Sequence, residues 1–466
     1  MTERTKRFTP VFLIPVLFFA GVWLLGETGI YNDSNQYIAM HIHREPLYPF
    51  FLWVLRSLAG EGAYLEIARF FQNVLAAFSA VWLTACIRKQ FAAGGVLTSL
   101  ICLILLAPHV ITPLFSASGL VLSNGIISEA LGLPLFYLFF GQCLNLLLDG
   151  GKKAGLWALL LALALSLTRG QMMIAILLWA ACALYRALLR SGLPFRKRWK
   201  GAAAVLLCVA AAFCGRSALV RTYNLAFNGY FINNTFGSVG MLANVLYAAD
   251  REDGERIGDE KARELFYLSF DLAWEREANY RFAPEGFLNR AAHLEGQHDA
   301  LKFEIIEEPW RAWHDRMGMK EYIPENVESD RVAGEIMKSI LPSVLGRWLY
   351  DYLALSACGL IRSVAVVHPL LNWYALAVWA GMLSLIVFAF RKNPGSRAAL
   401  AAAFAVLAAA ANVYATSLII MCLSRYMIYG LPLFYIGGLL LLREVCYKIY
   451  LRFHEAHCLK KEKRLY

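Results

Sequence analysis

PVFLIPVLFFAGVWLLG, residues 10 to 26, is an apolar run without a single charge, preceded by a basic head (Arg4, Lys6, Arg7) and followed by the polar YNDSNQY at 31 to 37. A run of this kind reads as a membrane-crossing helix. With no small-x-small cleavage pattern before Glu27, it is expected to stay as an anchor rather than be removed as a signal peptide. Nine similar runs follow, near 64–87, 96–114, 129–148, 154–168, 171–189, 201–220, 371–390, 398–419 and 427–443. The chain of 466 residues is 59% hydrophobic with a mean hydropathy of +0.50, which leaves too little polar surface to cover a soluble globule. The expected fold is an all-α polytopic integral membrane protein of about 10 transmembrane helices with a large extracytoplasmic helical insert.

Lysine and arginine accumulate on cytoplasmic loops, so charge tests the topology. Arg88-Lys89, Lys152-Lys153, the stretch Arg186 to Lys200, Arg391-Lys392 with Arg397, and the tail from Arg443 to Arg464 all fall on the side of the basic N-terminus. Both chain ends are therefore expected inside. The opposite, outer face receives the loop around Asp33, the loop near Ser116 to Ser128, a tight turn at Thr168-Arg169-Gly170, a long insert and the turn at Ser424-Arg425. The segment Val344 to Val367 would reverse the later loops if it crossed the membrane, so it is expected to lie as an interfacial amphipathic helix.

Charge also divides the chain. Between Ala248 and Leu341 there are 22 acidic and 13 basic residues, against 12 acidic and 32 basic elsewhere. An acidic insert thus interrupts a basic membrane body, with helix-favouring stretches at Asp259 to Glu277, Glu295 to Glu308 and Val327 to Ile340. The expected organisation is a transmembrane module at 1–220 that holds the catalytic loop, a mostly helical insert at 221–370, transmembrane helices at 371–443 and a basic cytoplasmic tail at 444–466. The insert's acidity reads either as solvation of an outer-face domain or as acceptor binding. The ten cysteines lie mostly in apolar runs without CxxC pairs and read as small hydrophobes.

Acidic residues are scarce outside the insert, and two stand apart: Asp33 in the first outer loop and Glu129 at the start of the fourth span. Acids kept beside membrane helices are usually functional. One carboxylate can accept a proton from an acceptor hydroxyl while the other orients a sugar or holds a divalent cation such as magnesium or manganese. The plainer readings are a turn or cap acid for Asp33 and a dipole-favoured N-terminal charge for Glu129. His41 and His43 have no Glu or Cys at ligand spacing and are not read as a zinc site. The stretch Pro46 to Pro49 also reads as a turn that brings Tyr48, Phe50, Phe51 and Trp53 to the interface.

These residues resemble a pattern of the GT-C superfamily of polytopic glycosyltransferases, among them protein mannosyltransferases and aminoarabinose transferases. The matching positions are Asp33, Tyr37, Arg44, Pro46, Tyr48 and Pro49 in the first outer loop, Ser128-Glu129, Leu167-Thr168-Arg169, and Arg425-Tyr426 ahead of Pro432. The resemblance covers roughly the first 220 residues and the last 50, and the insert is outside it. It implies inverting transfer of a sugar from a polyprenyl-phosphate donor to a glycan, lipid or protein acceptor on the extracytoplasmic face. In that picture Asp33 is the general base, its basicity raised by partial burial, and Glu129 assists with donor or metal. Tyr37, Arg44, Tyr48, Arg169, Arg425 and Tyr426 bind substrate. Arg425 is first choice for the leaving phosphate, since guanidinium pairs with phosphate through two hydrogen bonds.

Alternatives are a ligase or polymerase of the O-antigen type, and a multispan transporter or lipid flippase. The first concentrates Arg and His in a late loop, whereas the acids here come early. The second predicts repeated halves and broken helices, and no repeat is visible. Partners include membrane lipids and exclude nucleic acid, and the tail from Cys458 to Arg464 reads as an anchor on anionic lipid.

Overall fold

A computed structural model describes residues 9–115, 119–190, 194–235 and 237–462. The basic head at Arg4 to Arg7, residues 116–118 of the second outer loop, and Arg464 with the tail side chains from Tyr447 onwards lie outside the described residues. Every apolar run is helical. The helices are α1 (Thr9–Leu25), the short α2 (Ser34–Ile38), α3 (Leu47–Ala59), α4 (Tyr64–Phe91), α5 (Gly95–Phe115), α6 (Ser128–Asp149), α7 (Lys152–Thr168), α8 (Ile174–Leu189) and α9 (Phe195–Asn228). The insert adds α10 (Gly237–Tyr247), α11 (Glu260–Glu275), α12 (Phe287–Asp299) and α13 (Glu308–Arg316). The chain closes with α14 (Tyr322–Arg362), α15 (Pro369–Lys392), α16 (Arg397–Ser417), α17 (Ser424–Met427) and α18 (Leu431–Glu462).

Seven described helices are long and apolar enough to cross a membrane by length and composition, fewer than the ten expected. The three expected spans outside that set are α1 and α7, with 17 described residues each, at the short end of what crosses a bilayer, and α18. α18 is apolar only as far as Leu442, where Arg443 and Glu444 follow.

α6 lies at the centre of the bundle, packed on α4 and α7, and buries Leu133, Phe136, Phe139, Phe140 and Cys143. Phe140 stacks on Phe404 of α16 with centroids 5.0 Å apart. By contrast α9 and α15 leave Leu206, Leu207, Leu376 and Leu383 exposed, as befits faces that meet lipid instead of water.

The basic loops gather at one end. Arg397 reaches Asp149 at 3.2 Å, Gln90 donates to Asp149 at 2.6 Å, and Arg443 donates to the Phe91 carbonyl at 2.7 Å. Asp33, Glu129, Arg169, Arg425 and the insert sit at the opposite end.

The insert has its own apolar core, with Tyr247, Phe266, Leu294, Ile305 and Trp310 buried against Val332, Ile336 and Ile340 of α14. Many of its acids are paired: Arg281 with Asp250 at 2.7 Å, Arg290 with Asp351 at 3.0 Å, and Arg362 with Glu295 at 2.8 Å. The stretch from Val344 to Arg362, expected as an interfacial helix, is the second half of α14, one continuous helix of 41 residues that carries Pro342 inside it. One face of it, with Asp351, Ala354, Leu355 and Cys358, is buried against protein, and the other leaves Leu345, Leu349, Tyr350 and Leu353 exposed.

Candidate active site

A short parallel bridge positions the first loop. Gly29 donates to the Asn124 carbonyl at 2.9 Å and accepts from the Ile126 N–H at 2.8 Å, just ahead of α6. The Tyr31 ring packs against this bridge: a Cβ on Gly125 would lie 2.7 Å from Tyr31 Cε2. Gln72 of α4 donates to the Ser123 and Gly125 carbonyls at 3.0 Å each, and Ser34 Oγ donates to the Ile126 carbonyl at 2.8 Å. Buried hydrogen bonds of this sort hold the loop firmly, and they place Asp33 in the same charge cluster as Glu129.

Asp33 occupies the cap position of α2, but its side chain caps nothing. Its carboxylate lies between two guanidiniums, Arg44 Nη2 at 2.8 Å and Arg425 Nη2 at 3.1 Å. Arg44 is fixed in turn by Gln36, which accepts from its Nε at 2.7 Å, and packs over the Tyr37 ring at 4.8 Å. Glu129 holds Arg169 at 2.5 Å and stands 3.7 Å from Arg425 Nε. Ser128 Oγ links the two halves, accepting from Arg169 at 3.0 Å and pairing with the Tyr37 hydroxyl at 2.9 Å. Arg169 and Arg425 lie 4.8 and 4.9 Å from the centre of the Tyr426 ring, a double cation–π arrangement.

Burial by itself would raise the Asp33 carboxyl, but Arg44, Arg425 and Arg169 together hold it below the usual carboxylate value. This corrects the expectation that burial makes Asp33 a stronger base: in the free protein the arginines win. A divalent cation does not fit here. Three guanidiniums surround two carboxylates, so the local charge is already positive, and among the described residues no three His, Cys, Asp or Glu side chains come together.

Asp33, Arg44, Lys302 and Arg425 line a cavity of about 830 Å³. It is flanked by an open groove of about 610 Å³ whose walls include Val366, Val367, Leu370 and Leu371, and Arg362 and Ser424 border both. A second cavity of about 420 Å³ lies beyond Arg44 and Tyr426, and Tyr37 and Arg169 are on its wall. Glu129 and Tyr48 border neither cavity. Glu129 is 1% exposed and acts on Arg169 and Arg425, which makes it a positioning residue. Tyr48 was expected to bind substrate or face the interface; it is fully buried in α3, donates to Gln72 at 2.8 Å and supports the Tyr37 ring edge-on at 5.1 Å. The turn expected at Pro46 to Pro49 is the start of that helix.

Several residues of the site were not expected. Gln36 and Ser128 orient the charged groups. Glu45 stands beside the quoted Arg44 and is paired with Arg216 at 2.5 Å; burial pushes its carboxyl up to about 7. Lys302 comes from the insert, on a π-helical segment (Ala300–Glu307), a rare geometry frequent at functional sites. It reaches both cavities, and burial pulls its ammonium down to about 8. A lone acid before a proline was a visible signal for Glu45. One lysine among the many charges of the insert carried none. His43 Nε2 bonds Gln36 at 2.9 Å and burial holds its ring down to about 3, so it is neutral.

No family model and no curated protein matches the chain. Among solved structures, the crystal structure of ArnT from Cupriavidus metallidurans bound to undecaprenyl phosphate is similar over 92% of this chain and 77% of that one, at 15% identity and a TM-score of 0.31. A superposition that loose fixes neither site nor substrate. The fold and site themselves define a multi-pass all-α membrane protein with an arginine-clamped carboxylate on the wall of a half-polar, half-apolar cavity.

Proposed function

We propose that the chain is a membrane glycosyltransferase of the GT-C type, moving a sugar from a polyprenyl-phosphate donor to an acceptor on the extracytoplasmic face. One observation carries the reading: Asp33 and Arg425 share a cavity that runs into an apolar groove. A charged end beside an apolar end suits an amphiphile whose phosphate meets Arg425 and Arg44 while its prenyl chain follows Leu370 and Leu371 toward lipid.

In this mechanism the acceptor hydroxyl attacks the anomeric carbon, its proton passes to Asp33, and the bond from the sugar to phosphate oxygen breaks with inversion. The departing phosphate takes the electron pair, and guanidinium compensates its charge. Asp33 is a weak base while Arg44 and Arg425 hold it. A phosphate that draws those arginines away leaves burial as the dominant influence, so the carboxylate becomes basic only when donor is bound. Glu129 keeps Arg169 and Arg425 extended for this exchange.

The test is Asp33→Asn in a reconstituted assay with polyprenyl-phosphate sugars. Transfer should fall by about 10² or more, the usual cost of removing a general base. Transfer that stays within about threefold of the parent removes Asp33 from this role.

A further inference from the structure

We propose that the basic start of α9, at the end of the bundle opposite the site, holds the headgroup of an anionic phospholipid. Arg196, Lys197 and Lys200 are its partners, and the apolar side of α9 supports its acyl chains. From Gly150 to Ala249 the chain has no Asp or Glu. That stretch carries Arg186 and Arg190 near the end of α8 and Arg196, Lys197, Arg198 and Lys200 at the start of α9, six cations with no acid of their own. The rest of the fold does not supply the missing charge. Among the described residues the carboxylates at this end are Asp149, which takes Arg397 and Gln90, and Glu444, which accepts from Ser396 at 2.7 Å. Arg196, Lys197 and Lys200 are exposed and make no ion pair with a described residue.

Tertiary contacts gather the cations into one surface. Gly201 keeps α9 tight against α8, since a Cβ there would lie 3.3 Å from Ala187 Cβ. Arg198 donates to the Leu188 carbonyl and Arg190 to the Pro394 carbonyl, both at 3.4 Å, so the exposed Arg391 and Lys392 join the same face.

An excess of Lys and Arg orients a chain in the membrane wherever it falls along a loop. It does not account for cations aligned with a lipid-facing stripe. Arg196, Lys200, Ala203 and Leu207 follow at spacings of four, three and four, which puts them on one face of the helix, and all four are exposed. Beside them Phe195 and Trp199 meet edge-on at 5.9 Å and lead into the exposed Leu206. Cations, then aromatics, then bare apolar surface is the order of headgroup, interface and chain in a phospholipid. α9 is also the least covered of the seven long apolar helices, with 11% of its most apolar stretch buried. A nucleic acid or an acidic protein would match the cations but not the apolar length beyond them.

The experiment uses the full chain in detergent, titrated with phosphatidylglycerol or with phosphatidylcholine of the same acyl chains, and bound lipid is counted by native mass spectrometry. Phosphatidylglycerol should bind at least about tenfold more tightly, from about fivefold per cation in contact. Arg196→Gln with Lys200→Gln should remove most of that preference. Lys152→Gln with Lys153→Gln, an equal loss of charge at the start of α7, should leave it within about twofold of the parent. All four side chains are exposed, so the fold is retained in both variants. Equal losses in the two variants would mean that net charge alone gathers lipid, and equal binding of the two lipids by the parent would mean that no anionic site exists. Either result overturns the proposal. Inorganic phosphate in large excess should not displace the lipid; displacement would assign the cations to a soluble anion and overturn it as well. No turnover is measured, so the outcome is independent of the Asp33→Asn assay.

Discussion

Glu129 and Asp149 stand at opposite ends of α6, and each is held by an arginine from elsewhere in the chain. Glu129 is 1% exposed and meets Arg169 at 2.5 Å, while Asp149 is 50% exposed and meets Arg397 at 3.2 Å. The helix dipole favours the first and opposes the second. The same pair of functional groups thus does two different things. At the loop end, water screens the charges and the pair contributes little. At the site end, burial makes each charge depend on its partner, so removing one strands the other.

The comparison is broken most severely by Glu129→Ala. It leaves Arg169 buried without its carboxylate, and a loss of about 3–5 kcal/mol is expected, read as a fall in melting temperature in detergent. A loss under about 1 kcal/mol would mean that water reaches the pair.

Glu45 tests the same principle through pH. Burial raises its carboxyl from 4.5 to about 7 in the folded protein. The stability it contributes is therefore complete below the unfolded value and is lost as pH rises towards about 7. Relative to Glu45→Gln, the parent should lose about 3 kcal/mol between pH 4.5 and 7. A parallel pair of melting curves across that range would show a solvated carboxyl.

Arg425→Ala should raise the KM for donor about tenfold, or about 1.4 kcal/mol, with a smaller change in kcat, because Arg425 is assigned to the phosphate. Unchanged donor kinetics would move the phosphate to Arg44 or Lys302. The smallest effect is expected from Arg397→Ala, which breaks the exposed pair with Asp149 and should cost about 1 kcal/mol or less. A cost near that of Glu129→Ala would erase the contrast between the two ends.

Asp33, Arg44, Glu129, Arg169 and Arg425 were legible in the sequence because charge beside an apolar helix is costly, and each interrupts or borders a long apolar run. Their pairing was not. Asp33 and Arg425 are 392 positions apart and meet at 3.1 Å only because α17 folds back over the first loop. Burial of Asp33 suggested a stronger base; three converging arginines reversed the sign. Tyr48 reads as an interface aromatic from its neighbours Phe50 and Phe51, and only the packing of α3 on α4 shows it facing Gln72. The continuous α14 was hidden by Pro342, which marks a break in most helices and is contained here within one.

The sequence by itself determined an all-α membrane body, an acidic insert and the set of charged residues available for chemistry, because hydropathy and charge are local properties summed along the chain. Tertiary structure decided which carboxylate each arginine holds, and that Lys302 of the insert enters the site. Those outcomes depend on distance and on exclusion of water, and neither is a property of any single stretch of residues.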